Sequence, residues 1–259
     1  MLKRIFDKLS LKGYREEVTA NQRTQVAAIQ RLHEQLFLNN PVLIVQDVKM
    51  YLPLFYVDHI QKIIYKYRDF YEKETLDYLK EQYGSFERVL DIGSNIGNHM
   101  LYYCSRLGAK QVICFEPNTF NHTVLCKNIE LNNLQDLVTV HNVALGATNG
   151  KGIQKDFTNM NTGMNRIEPV SSTDTGIASV DIVRLDDLHY KNVDFIKIDV
   201  EGFEVSVLKG AAETLRGSKA VVLIEVFKES QAEVDQLMTS YGYRKTKTIE
   251  EFNIIYETI

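Results

Sequence analysis

The chain has no apolar run near the length of about 20 residues that a membrane-spanning helix needs. Its start, MLKRIFDKLSLKG, is basic but lacks the continuous apolar stretch of a signal peptide. Cysteine is scarce. Cys104, Cys114 and Cys126 make an odd number without metal-ligand spacing, so neither a disulfide frame nor a zinc site is expected. Reduced thiols, and with them a cytoplasmic location, are the plain expectation. The six histidines, among them His99, His122 and His141, also show no ligand spacing, and no bound metal is expected. Charge of one sign is not in excess. Lys and Arg total 30 against 34 Asp and Glu, a formal net charge of -4, too weak a field to gather nucleic acid. Internal repeats and low-complexity tracts are missing as well.

What remains is an ordinary globular composition, 44% hydrophobic and 25% charged, over 259 residues. That length suits one α/β domain with an N-terminal extension. Leu2, Ile5, Phe6 and Leu9 share a helical face ringed by Lys3, Arg4 and Lys8. Two readings stand: a helix with weak peripheral contact to a membrane surface or partner, or a short helix packed on the body. Residues 19–38 read as a helix with Val26, Ile29, Leu32 and Leu36 at helical spacing, stopped by Asn39-Asn40-Pro41. It is either the seam of a homodimer or a cover for its own domain, and it is short for a coiled coil. Residues 41–56 suggest a β-hairpin, and residues 70–83 a further helix. The expected division is an extension at 1–69 and a ligand-binding domain at 70–259.

From Arg88 onward short apolar strands alternate with helical segments. Strands are expected at 88–92, 111–115, 137–140, 193–198 and 220–224. Helices fit at 97–107, 118–131, 203–215 and 229–241. This alternation implies a mostly parallel sheet covered on both faces. Two closing strands follow at 243–249 and 252–256. The polar segment 146–179 breaks the rhythm and is long for a connection, which points to a functional insertion over one end of the sheet.

The sharpest local signal is Asp91-Ile-Gly93-Ser-Asn95-Ile-Gly97, directly after the first strand of that series. Gly93 and Gly97 let the backbone turn tightly and come close to a ligand at the following helix N-terminus. A dinucleotide loop would carry G-x-G-x-x-G, but Asn95 stands where its second glycine belongs, and no third glycine follows. Asp91 just ahead of the loop would repel a pyrophosphate and suits a cationic ligand such as S-adenosylmethionine, which has an ammonium and a sulfonium. Its bland alternative is a cap on the next helix. Glu116 ends the second strand, close to the spacing of about 20 residues at which a ribose-binding acid is expected. Adenine is then expected near Asn142 and Val143 after the third strand, although Asn142 also reads as a turn residue.

Chemistry is expected at Lys197-Ile-Asp199-Val-Glu201-Gly202. Strand alternation puts Lys197 and Asp199 on one face, and a lysine in a doubly covered sheet demands a partner. Asp199 or Glu201 would orient or deprotonate an acceptor hydroxyl while Lys197 sets the local charge. Glu225 is a plausible neighbour. The competing reading is a structural ion-pair network.

VLDIGSNIGNH, CFEPNTFNHTVLCKNIELNNL, VALG, VRLDDL and DFIKIDVEGFEVSVLKGA occur in order. Together, from Tyr71-Glu72 to Gly210, they resemble the FkbM family of methyltransferases. The resemblance implies a Rossmann-like class I methyltransferase fold with a seven-stranded sheet and S-adenosylmethionine as donor. It also implies O-methylation of a hydroxyl on a sugar, a glycan or another natural-product small molecule. Ser94 and His99 depart from the family's more frequent residues without removing a needed group. The first 65 residues carry no match. The rival reading is a partner protein that keeps the fold and only binds, against which the intact glycines, Asp91 and Glu116 speak.

Overall fold

The computed structural model describes residues 22–25, 28, 32, 34–155, 166–169 and 179–259. The chain divides into two units, Met1–Val42 and Leu43–Ile259. In the first, residues 34–39 are helical, and the turn closes with the Asn40 amide donating to the Phe37 carbonyl at 3.0 Å. The basic helix expected at the start, and Val26 and Ile29 of the apolar face expected within 19–38, lie outside the described residues, while Leu32 and Leu36 of that face are exposed.

The second unit opens with the expected hairpin, β1 (Val42–Val45) and β2 (Val48–Tyr51). Then comes a helix that periodicity did not suggest, α1 (His59–Tyr67), capped by Asp58, whose carboxylate accepts the Gln61 amide at 3.0 Å. The next helix, α2 (Lys73–Tyr83), starts three residues later than expected, because Glu72 takes left-handed backbone with φ 53. Beyond it the alternation follows as read: β3 (Arg88–Ile92), α3 (Asn98–Arg106), β4 (Gln111–Phe115), α4 (Thr119–Leu131) and β5 (Val138–His141).

The second half of the sheet comes from β10 (Phe195–Ile198), β11 (Val221–Glu225), α7 (Lys228–Ser240), β12 (Tyr243–Ile249) and β13 (Asn253–Thr258). The seven strands run in the order β12-β13-β11-β10-β3-β4-β5. Those from β11 to β5 are parallel, and β13 is antiparallel to β11. Strand order reverses between β3 and β10, so their carboxyl ends part and leave the crevice where ligands of such sheets bind. Leu90, Ile92, Ile113, Phe115, Ile196, Ile198, Val222 and Ile224 fill the core, each essentially unexposed.

Two segments depart from the expected pattern. The helix expected at 203–215 is broken into α5 (Glu204–Gly210) and α6 (Ala212–Gly217). The break falls at Ala211, φ -112 and ψ 9, and a Cβ on the preceding Gly210 would sit 1.9 Å from the Gly146 carbonyl oxygen, so the backbone crossing there requires glycine. The polar insertion is not irregular throughout. Within it β7 (Gly150–Lys155) and β8 (Arg166–Pro169) join β6 (Ala144–Leu145) and β9 (Ser179–Val183) in a second sheet of order β6-β9-β7-β8. Residues 156–165 and 170–178 lie outside the described part.

Candidate active site

The loop after β3 is held by backbone geometry. Gly93 has φ 81, and a Cβ there would lie 1.7 Å from the carbonyl oxygen of Asp199, so the turn passes against β10 in a way no other residue allows. The amides of Gly93 and Ser94 both donate to the Phe115 carbonyl, at 2.9 and 3.1 Å. Gly97, φ 86, caps α3, and a Cβ would press on Leu125 at 2.5 Å. Asn95 between them is also left-handed, φ 50.

Glu116 closes this loop from the next strand. One carboxylate oxygen accepts the Asn95 amide at 2.7 Å, and the other accepts the Asn118 amide at 2.8 Å. Burial pushes the carboxyl up to about 7 against the pull of those amides. Each oxygen keeps a further lone pair for a hydroxyl donor. Asn142 lies alongside, its side-chain amide donating to the carbonyls of Glu116 and Pro117 at 2.7 and 3.2 Å, while Val143 is half-buried against the core. Asn142 is therefore a brace for the turn that carries Glu116. His141 stacks on Phe115 with ring centroids 5.1 Å apart and pairs with the Tyr190 hydroxyl at 2.8 Å.

A second group of polar residues sits at the split between β3 and β10. Register places Lys197 beside Asp91. The Lys197 ammonium donates to the Gly93 carbonyl at 2.9 Å and to Asp199 Oδ2 at 2.9 Å, with Asp91 Oδ1 at 3.9 Å. Burial works against that charge, but Asp199 and Asp91 outweigh it and hold the ammonium well above its usual range. Asp91 is fully buried, and neither of its carboxylate oxygens has a hydrogen-bond partner among the described residues. Burial raises its pKa, with Lys197 pulling the other way. Asp199 is the most open of the three, its side chain 24% exposed.

Beside Asp199 stands Glu225, the last residue of β11, the strand next to β10. The neighbouring charge of Asp199, then burial, pushes Glu225 far above the ordinary carboxylate range, so it keeps its proton at neutral pH. Glu201 lies just beyond, half-buried in left-handed backbone at φ 51, and Gly202 follows at φ 94.

Two groups that sequence reasoning did not place in the site, Glu72 and Asn253, complete it together with His99. Glu72 Oε2 lies 3.1 Å from His99 Nε2, and Glu72 Oε1 accepts the Asn253 amide at 2.9 Å. Burial alone would raise the Glu72 carboxyl, but the hydrogen bond and charge of His99, helped by Asn253, hold it down at about 2. His99 could be suspected from its place in the first turn of α3. Glu72 and Asn253 are 181 residues apart, and no local signal joins them. Glu72 and Glu225 share the wall of a cavity of about 680 Å³, together with Tyr67, Tyr71, Glu250 and Phe252.

A glycine loop at the switch point, an acid closing that loop from the next strand and a seven-stranded sheet with an antiparallel edge define a class I methyltransferase. The chain belongs to the FkbM methyltransferase family, whose domain model matches residues 91–245. It is 28% identical over 143 residues to "Methyltransferase 1" of Beauveria bassiana, which covers 47% of this chain and 57% of that protein. It is 25% identical over 205 residues to the hexuronic acid methyltransferase AglP of Haloferax volcanii, covering 77% of this chain and 82% of that one. A crystal structure of methyltransferase FkbM from Methylobacillus flagellatus aligns with a TM-score of 0.47 at 19% identity, over 67% of this chain and 43% of that chain. The chain thus spans little more than half of the fungal relative and less than half of the crystallised one.

Proposed function

We propose that this chain transfers a methyl group from S-adenosylmethionine to a hydroxyl oxygen of a sugar or glycan. Family membership supports methyl transfer, and the residues suit this donor. Gly93 and Gly97 would let the backbone approach it, with Asn95 in the same loop. Glu116 retains lone pairs for the two ribose hydroxyls. Asn142 and Val143 border the place for adenine, beside the stacked Phe115 and His141 rings. Asp91, buried and without hydrogen bonds, supplies negative charge below the loop for the donor's cationic end. When bound, the donor supplies an electrophilic methyl group on a positively charged sulfur.

The protein's own residues would then manage the acceptor. The observation that carries the reading is the Lys197–Asp199–Glu225 chain. Asp199 is held by the Lys197 ammonium at 2.9 Å, has the buried Glu225 carboxyl as a neighbour whose pKa it pushes up, and is the open member of the group. Its carboxylate would take the hydroxyl proton as the oxygen lone pair bonds the methyl carbon and the carbon–sulfur bond breaks, with that electron pair returning to sulfur as a neutral thioether. Lys197 keeps compensating charge beside it, and Glu201 is a second acid within reach of the same rim. The carboxylates and tyrosines of the adjoining cavity suit a polyhydroxylated acceptor, and the resemblance to a protein named for hexuronic acid methylation points the same way.

The test is a transfer assay with isotope-labelled donor and a panel of glycans. Asp199→Asn is expected to lower turnover about a hundredfold or more, the contribution of a well-placed base, while donor affinity stays within a few-fold. Glu201→Gln separates the two acids. Full turnover in Asp199→Asn would remove Asp199 from this role.

A further inference from the structure

The cavity beside Glu225 does not end at its outer wall. A second hollow of about 670 Å³ adjoins it, and the two have Lys73, Glu74 and Glu250 in common. Beyond that shared ridge, the outer hollow is lined by Tyr78 and Glu81 of α2 and by Lys247 and Thr248 of β12. Either volume alone falls within the range of about 300–1,000 Å³ that houses a complete small ligand. The pair is more than one sugar ring requires.

The ridge is constructed, not incidental. Glu250 and Glu251 turn the chain from β12 to β13 in left-handed backbone, φ 48 and 62, a conformation that is costly for residues other than glycine. The Thr75 hydroxyl donates to Glu250 at 2.9 Å, and Asn253 donates to Glu72, so the turn is fastened to the start of α2 at two points. A bulge between Lys245 and Lys247 breaks the edge-strand register just before the hollow. Lys247 then extends over the Tyr78 ring, 5.7 Å from its centroid. Most of these residues fall outside 91–245, the span shared with the family.

We propose that the outer hollow is a second sugar subsite, so that the acceptor is a chain of at least two units with the methylated one nearest Glu225. This rests on the sugar reading above. Aromatic rings offer apolar faces to the C–H side of a pyranose, and carboxylates accept hydrogen bonds from its hydroxyls. Charge selects among sugars. Around the outer hollow Glu74, Asp77, Glu81 and Glu250 face Lys73 and Lys247, and Lys73 is already paired with Asp77 at 2.5 Å. Neutral or amino-bearing units are accepted there and uronates repelled.

Full-length protein, labelled donor and glycans of one, two and three units, in neutral, amino and uronate forms, give the test. At least a tenfold rise in kcat/KM from one unit to two is expected, strongest for neutral or amino sugars. Thr248→Trp, which fills the hollow from an exposed strand position, and Lys247→Ala should shrink that ratio while leaving the single-unit rate unchanged. Equal rates at every length, unaltered by either variant, would overturn the second subsite and leave sugar methylation standing. A preference for uronate units would overturn the charge argument. If no sugar of any length takes label while another hydroxyl compound does, the sugar reading itself falls and takes the subsite with it.

Discussion

Glu116 shows how much a single buried group decides. Its carboxylate fastens the loop through the Asn95 amide, yet it is buried enough to ionise only at about 7 instead of the ordinary 4.5. Between those values the folded protein keeps a proton that the unfolded chain has released. Stability must therefore fall as pH rises through that window and level off above it. Glu116→Gln should remove this part of the slope. The difference between parent and variant in urea unfolding should change on the order of 2–3 kcal/mol between pH 4.5 and 8. A constant difference across that range would mean that Glu116 is not held protonated. Glu116 was legible in the sequence because it follows an apolar strand at a familiar distance from a glycine loop. Glu72 was not, since its partners His99 and Asn253 come from helix and strand segments that only folding brings together.

Elements depend on one another through a few side chains. The hairpin β1–β2 is fixed to α4 by two asparagines. Asn128 accepts the Tyr51 amide at 2.5 Å and donates to the Ile96 carbonyl at 2.8 Å, so it links the hairpin to the glycine loop. Asn132 exchanges hydrogen bonds with both backbone groups of Lys49, at 2.9 and 2.7 Å, as a neighbouring strand would. Asn128 is 1% exposed, so Asn128→Ala leaves an amide and a carbonyl unpaired in a dry place. A cost of about 2–4 kcal/mol is expected, from roughly 1–3 kcal/mol for each orphaned group. Hydrogen exchange at Tyr51 should quicken in parallel. If stability drops while exchange at Tyr51 is unchanged, the hairpin is held by other contacts. Neither asparagine stands out in the sequence: Asn128 reads as an ordinary helix residue, and Asn132 as the residue just past the helix end. The strands, by contrast, were readable almost to the residue, because β3, β4 and β11 are short apolar runs bounded by polar turns.

At the scale of the molecule, the proposed donor and acceptor sites draw on different parts of the chain. The glycine loop and Glu116 lie within the matched 91–245 span, and the cavity proposed for the acceptor is walled largely by α1, α2 and the β12–β13 turn. Ligand that binds only the folded state stabilises it by about 2.7 kcal/mol at 100 times its dissociation constant. S-adenosylhomocysteine at that level should raise Tm by about 5–10 °C, given roughly 2–4 °C per kcal/mol for a domain of this size. NAD should leave Tm unchanged, because Asn95 and the absence of a third glycine spoil a pyrophosphate loop. A shift with NAD and none with S-adenosylhomocysteine would reverse the donor assignment.

The sequence by itself determined the alternation of strands and helices, the glycine loop, the acid after β4 and the K-I-D run at the end of β10. Each is local: apolar periodicity, the φ of a glycine and the spacing of one strand end from the next operate over a few residues. The sequence also placed Glu225 near Asp199, but tertiary structure decided how the other charges meet. Lys197 faces Asp91 through the β3–β10 register, and Glu72 joins His99 and Asn253, the latter 181 residues away. The cavity beside Glu225 arises in the same way, because its walls come from opposite ends of the unit and exist only once the β12–β13 turn is fastened to α2.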